Sequence, residues 1–210
     1  ESDCANVNST LLSSLERELC NNFMDAITFL NTFSLDNYTD YCLAYAFTSR
    51  DFADGTLGLA WIGSSNGVGG ICQDPVSING VVRSLNTGIV TNVNYNSRVP
   101  ELVNQLTFAH EIAHNLGAQH DNATCVPGSS VGNFIMYASA TSGTQTNNQR
   151  FSSCSLSSMN NLLNTVTSSS SRNCFRSNFY NFWHIFNLYY KKFILIFKKL
   201  LARVFVEMEL

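Results

Sequence analysis

A chain of 210 residues with 45% apolar side chains and three prolines has material for one sizeable core, so a single domain is expected. A formal net charge of −3 on only 13% charged residues provides no basic field for a polyanion, and the lysines cluster late, at Lys191, Lys192, Lys198 and Lys199. Nucleic acid is therefore not an expected partner. Seven cysteines (Cys4, Cys20, Cys42, Cys72, Cys125, Cys154, Cys174) are widely spaced without a CxxC pair, which argues against a structural zinc ribbon and for disulfides. Three Asn-x-Ser/Thr sequons, at Asn8, Asn37 and Asn122, fit passage through an oxidising secretory route, and an extracellular or cell-surface location is expected. The start, "ESDCANVNST", has no basic residue leading into an apolar run, so it is not a signal peptide, and the chain reads as part of something longer.

In chain order, apolar residues at Leu11, Leu15, Leu19, Phe23, Ile27 and Leu30 recur in steps of three or four and predict an amphipathic helix over 11–33. "YCLAYAFT" (41–48) has a buried-strand pattern, and "GLAWIG" (58–63) is a second short strand bounded by glycines. "GSSNGVGG" lacks a following Gly-Lys-Ser/Thr and a helix start, so it is read as a flexible connection rather than a phosphate cradle. "SLNTGIVTNV" (84–93) reads as a third strand. Pro100 and Glu101 then open a helix whose Leu102, Leu106, Ala109 and Ala113 share a face, and Gly117 is suited to end it. Strands followed by a long helix indicate a mixed α/β domain.

That helix carries "TFAHEIAHNLGAQHD" (107–121). A helix advances about 100° per residue, so His110 and His114 project from one face, a turn apart. Glu111 lies beside the pair, where a carboxylate can reach a metal-held water without taking a ligand position. Gly117 permits a positive φ angle that turns the backbone and returns His120 toward the same ion. Three neutral imidazoles leave a fourth position open, the arrangement of catalytic zinc, with Glu111 activating the zinc-bound water for attack on a carbonyl. The lone His184, in an aromatic stretch, is given no role.

Residues His110–Asp121 match HExxHxxGxxHD and resemble the metzincin signature, extended by Asp as in the adamalysin or disintegrin-and-metalloprotease branch. "FIMYASATSG" (134–143) is similar to the Met-turn, with Met136 as an apolar floor beneath the imidazoles. Together with "DYCLAYAFTSRDFADGTLGLAWIG", "GGIC" and "SLNTGIVT", these stretches resemble the Kuzbanian-type α-secretase subgroup from about Phe23 to Phe175. The resemblance implies a metzincin catalytic domain with a twisted mixed sheet, a long active-site helix and a Met-turn. It implies a zinc endopeptidase that sheds ectodomains, with Notch-type receptors and amyloid-precursor-like proteins as the substrate class, cut in juxtamembrane segments, and a membrane-anchored parent. It also implies that the strand over Gly58, Leu59, Ala60 and Trp61 is the sheet edge that pairs with an extended substrate. Residues Ala138 to Gly143 would shape the pocket for the side chain after the cut bond. The implied disulfides are Cys125 with Cys154 and Cys72 with Cys174, while Cys42 would pair with a cysteine near the start of a complete domain, a place Cys4 or Cys20 could take.

Three segments follow. Residues 1–20 are atypical, and family strands that precede the first helix are missing from them. Residues 21–176 form the metalloprotease domain, incomplete at its start. Residues 177–210 are an aromatic and lysine tail outside the fold. In its stretch "NFYNFWHIFNLYYKKFILIFKK", 18 of 22 residues are Phe, Tyr, Asn, Ile or Lys, a bias that fits translated non-coding DNA. The other reading is a membrane-binding amphipathic stretch, too short and too interrupted by Lys191 and Lys192 to span a bilayer. An alternative function, a catalytically incompetent fragment acting as a binding decoy or without a role, is kept beside the endopeptidase.

Overall fold

The computed structural model describes residues 25–65, 68–127, 130–169 and 171–176. Residues 1–24 and the tail 177–210 lie outside the described residues, as do the expectations placed on them, including Leu11, Leu15, Leu19 and Phe23.

Helix α1 covers Ala26–Phe33. Asp25 is its N-cap: the backbone there is extended (φ −73°, ψ 167°) and the carboxylate accepts from the Thr28 N–H at 2.8 Å. Of the helix expected over 11–33, the described part begins at Ala26. The buried face differs from the expected one. Ala26, Phe29 and Leu30 are buried, whereas Ile27 is 66% exposed. Over two turns, steps of three and four fit faces on either side of a residue, and here Phe29 and Leu30 decide by packing on Phe52 and Ile89.

Three strands form the main sheet: β1 (Ala44–Thr48), β2 (Gly58–Ala60) and β5 (Thr87–Thr91). Their order is β1-β5-β2. β5 runs parallel to β1, from Ala44↔Thr87 to Thr48↔Thr91, and antiparallel to β2, from Gly58↔Val90 to Ala60↔Gly88. All five residues of β5 are buried, so both of its faces are covered. Ile89 enters the small cluster with Phe29, Leu30 and Phe52, and Val90 enters the larger one with Phe108, Ile112, Met136 and Met159.

The strand expected over 84–93 is trimmed to β5, and two hairpins appear that the strand pattern did not announce. In the first, β3 (Val76–Ile78) pairs with β4 (Val81–Arg83) around Asn79 and Gly80, both at positive φ (51° and 81°). Asn-Gly is the residue pair such a turn favours. In the second, β6 (Val93–Asn94) pairs with β7 (Ser97–Arg98), and the Asp51 carboxylate accepts from the Tyr95 and Asn96 N–H groups at the tip.

Helix α2, Glu101–Asn115, starts after Pro100 and crosses the sheet. Helix α3, Ser153–Ser168, has no counterpart among the expected elements. Ser152 caps it by accepting from the Ser155 N–H at 3.1 Å, and Met159, Leu162, Leu163 and Val166 fill the main core. Among the described residues no helix is long and apolar enough to cross a membrane.

Candidate metal centre and its edge strand

Phe108, Ala109, Ile112 and Ala113 anchor α2 in the core, which fixes the opposite side of the helix as the place for His110 and His114. Their ring centres are 4.7 Å apart. Gly117 ends the helix at φ 94°, its N–H bonded to the His114 carbonyl at 2.9 Å, and the Ala118 N–H reaches back to Ala113 at 2.8 Å. That pair of bonds is a Schellman closure. The chain then returns the exposed His120 to 5.1 and 4.9 Å from the other two rings.

The donor set fits a cation such as zinc. One nitrogen from each of His110, His114 and His120 lies within 4.8 Å of the others. The Nδ1 of His110 faces the Ile135 carbonyl at 2.7 Å, and the Nδ1 of His114 faces the Ala118 carbonyl at 2.8 Å. A carbonyl only accepts, so each Nδ1 carries the proton and each Nε2 keeps its lone pair for a metal. His110 Nε2 lies 3.2 Å from His120 Nε2, a convergence of nitrogens that an ion would satisfy. Burial, reinforced by the neighbouring imidazoles, lowers His114 to about 4, and burial likewise lowers His110. Both are held in the neutral form that ligates.

Glu111 is 5% exposed, and burial pushes its carboxyl up to about 8; a bound cation would favour the ionised form. The carboxylate lies against the backbone of Gly58. A β-carbon there would lie 2.6 Å from Glu111 Cγ and Oε1, so only glycine leaves that side chain its place. Glu111 thus touches β2, the strand expected to receive substrate. On one side β2 pairs with β5; on its other side no strand lies among the described residues. Trp61 continues the pairing through its N–H to the Thr87 carbonyl at 3.3 Å, and its indole donates to Ser34 Oγ at 2.9 Å.

Met136 is fully buried in the main core. Its neighbourhood acts largely through backbone. The Ile135 carbonyl orients His110, and the Met136 carbonyl accepts from the Asp121 N–H at 2.8 Å, next to His120. Asp121 in turn accepts from Ser152 and Ser155 at the start of α3. Further on, Gly143 at φ 79° is pressed against Leu102 and Leu106 of α2, which returns the 138–143 segment to the helix. Cys125 is joined to Cys154 and Cys72 to Cys174, while Cys42 also meets Cys174.

Sequence reasoning missed two residues that join the helix to the sheet. Asn115 donates from Nδ2 to the Trp61 carbonyl at 2.8 Å and to the Thr87 carbonyl at 3.1 Å, and the Tyr45 hydroxyl donates to Asn115 Oδ1. Tyr45 is driven well above the ordinary phenol range by burial first and by Glu111 second, so it stays a hydroxyl donor. An Asn directly after the second histidine was the available signal; its partners lie 54, 28 and 70 residues away.

Two imidazoles on a helix, a third returned from beyond its end, a buried glutamate and a strand with no outer partner among the described residues define a metallopeptidase domain. Residues 5–165 match the family Metallo-peptidase family M12B Reprolysin-like, and the chain belongs to that family, whose members use zinc. The match begins upstream of Phe23, where the resemblance seen in the sequence starts. The chain is 52% identical over 162 residues to the Disintegrin and metalloproteinase domain-containing protein 10 homolog of Caenorhabditis elegans, covering 73% of this chain and 18% of that protein. It is 51% identical over 145 residues to the human Disintegrin and metalloproteinase domain-containing protein 10 and 50% identical to that of Xenopus laevis, each over 64% of this chain and 19% of the relative. The chain therefore spans under a fifth of the length of these relatives.

Proposed function

We propose that residues 21–176 form the catalytic unit of a zinc-dependent endopeptidase that cuts extended juxtamembrane segments of membrane proteins, as the ectodomain sheddases it resembles do. The single observation that carries this is the locked tautomer of His110 and His114, whose Nδ1 protons sit on the Ile135 and Ala118 carbonyls beside a buried, non-ligating Glu111. His110, His114 and His120 would hold the ion. Zinc there supplies a Lewis acid that polarises the scissile carbonyl and acidifies its water. Glu111 accepts a proton in the attack and returns it to the departing amine. Gly58, Leu59, Ala60 and Trp61 align the peptide by strand addition, and Met136 closes the floor. The Cys125–Cys154 and Cys72–Cys174 bridges and the sequons support a secretory, extracellular-facing location, and the resemblance to the Kuzbanian-type α-secretase subgroup supports a membrane-anchored parent with Notch-type receptors and amyloid-precursor-like proteins as the substrate class.

The test separates metal from chemistry. The folded chain should hold about one zinc, and Glu111→Ala should keep it while losing roughly 10²- to 10⁴-fold in hydrolysis of a quenched peptide. Zinc retention without any turnover by the unsubstituted chain would favour the binding decoy. Turnover that survives Glu111→Ala within a few-fold would remove Glu111 as the base.

A further inference from the structure

Two of the Asn-x-Ser/Thr motifs fall on described residues, Asn37-Tyr38-Thr39 and Asn122-Ala123-Thr124, while the one at Asn8 lies outside them. The two fold alike. Asn37 Oδ1 accepts from the Thr39 N–H at 3.0 Å and from the Thr39 hydroxyl at 2.6 Å; Asn122 Oδ1 accepts from the Thr124 N–H at 3.1 Å and from its hydroxyl at 2.6 Å. Each turn closes over three residues, so local sequence alone suffices to form it before the fold is complete. Both asparagines and both threonines are exposed in the finished fold. Among the described residues nothing accepts from the Nδ2 of either asparagine. Asn86, Asn115 and Asn148 are the contrast: each is buried and donates Nδ2 to main-chain carbonyls. An amide oxygen held by the hydroxyl two residues on, with the amide nitrogen left to solvent, presents the atom to which an N-linked sugar is joined.

We propose that Asn37 and Asn122 carry N-linked oligosaccharides, and that the one on Asn122 stands at the rim of the histidine site, admitting extended peptide and turning away folded protein surfaces. The rim role rests on the endopeptidase reading; the modification does not. In the transfer, Nδ2 attacks the anomeric carbon of the first sugar in an oligosaccharide donor of the polyprenyl-diphosphate class. The carbon–nitrogen bond forms and the bond from that carbon to the diphosphate oxygen breaks. Its electron pair leaves on the diphosphate, and Nδ2 gives up one proton, with no oxidation or reduction.

The position of Asn122 is fixed from both sides. Two residues separate it from the exposed His120, so their Cα atoms lie no more than about 7 Å apart. Between them, Asp121 is bonded through its N–H to the Met136 carbonyl and through its carboxylate to the Ser152 and Ser155 hydroxyls. Beyond it, the Cys125 N–H closes a turn onto the Asn122 carbonyl at 2.9 Å, and the Cys125 sulfur is bridged to Cys154. The root of the sugar is therefore held by the same bonds that return the third imidazole to the site. Asn37 sits elsewhere, between α1 and β1, where the Tyr38 N–H is bonded to Ser84 Oγ at 3.2 Å. That segment supplies nothing to the histidine site.

The test passes the full 210-residue chain through a eukaryotic secretory pathway and maps its peptides before and after peptide-N-glycosidase treatment in water labelled with heavy oxygen. Treatment should leave labelled Asp at 37 and 122 in most molecules. Asn122→Gln and Thr124→Ala should each remove one glycan step in gel mobility, with the Cys125–Cys154 peptide as the fold control. Access is then read without turnover. A zinc-chelating hydroxamate free in solution should bind the glycosylated chain and both variants alike. The same hydroxamate coupled to a bulky carrier protein should bind the variants severalfold more tightly, and Asn37→Gln should leave that difference unchanged. An unmodified Asn122 overturns the proposal, and equal carrier binding with and without its glycan overturns the rim role. Failure of the free hydroxamate to bind any form overturns the endopeptidase reading and the rim role with it, while the glycan map decides the modification separately.

Discussion

The histidine wall of the site draws its side chains and their supports from one stretch, 110–136, whereas the strand wall beside it is assembled from β2, β5 and a single helix side chain, Asn115. On the first wall the orienting bonds span 4 residues (His114 to Ala118), 15 (Asp121 to Met136) and 25 (His110 to Ile135). The main core backs it, with Phe108, Ala113, Met136 and Leu162 almost wholly buried. On the second wall the position of β2 depends on partners 28 to 70 residues away, backed by the smaller cluster around Ile89. Metal binding should therefore tolerate damage to the edge strand, while peptide alignment depends on contacts that only the finished fold provides.

The largest effect should follow from breaking the first wall directly. His114→Ala removes a ligand nitrogen, so zinc affinity should fall by more than the ~10–100-fold that loss of a ligand's hydrogen-bond partner costs, and hydrolysis should vanish with it. Elemental analysis after dialysis decides this. Stoichiometric zinc in the variant would take His114 out of the ligand set.

Next comes the place where the two walls touch. Gly58→Ala puts a methyl group 2.6 Å from Glu111 Cγ and Oε1, so the carboxylate must move. A displacement near 1 Å costs on the order of 10²-fold in rate, and zinc should stay bound. Gly80→Ala is the control: it also strains a glycine, at φ 81°, but nothing lies within 4 Å of the added carbon. Equal activity losses in the two variants would mean that Gly58 acts through general stability rather than through Glu111.

A smaller change isolates the second wall. Tyr45→Phe leaves the ring against Phe108 but removes the donor to Asn115 Oδ1, at a cost of about 1–3 kcal/mol for a buried group left unsatisfied. Zinc content should not change. KM for a long extended peptide should rise more than kcat falls, because the freed Asn115 no longer fixes the Trp61 carbonyl. A fall in kcat alone, with KM constant, would place Tyr45 in the chemistry rather than in alignment.

How far each wall could be read from the sequence follows the same division. α2, its glycine stop and the three histidines are local patterns, legible because spacing alone puts them on one face or at one turn. The mixed sheet was legible as strands but not as an order, since nothing in "TGIVT" says that it pairs with β1 on one side and β2 on the other. Asn115 and Tyr45 were invisible because their pairing exists only after folding. Helix α3 was obscured by its serines and asparagines, although Leu156, Met159, Leu163 and Val166 keep a helical spacing. The Asn79-Gly80 hairpin carried its signal openly. The Cys72–Cys174 bridge, 102 residues apart, came only with the family resemblance, and the approach of Cys42 to Cys174, 132 residues apart, had no signal in the sequence.

The smallest expected effect tests the one face that periodicity assigned wrongly. Ile27 fits a stripe with Leu30 by its spacing of three, yet it is 66% exposed while Phe29 is 5% exposed. Phe29 meets Phe52 edge-on at 5.7 Å between ring centres, on the back of the sheet that carries β2. Phe29→Ala should therefore cost about 3–5 kcal/mol, the range for emptying an aromatic site in a core. Ile27→Lys should change stability by no more than about 0.5 kcal/mol, because a solvent-facing helix position loses little apolar burial. Urea midpoints of the two variants, taken with zinc present, measure the difference. A loss for Ile27→Lys as large as that for Phe29→Ala would show that Ile27 is covered in the folded chain, and that the cap at Asp25 does not set the orientation of α1.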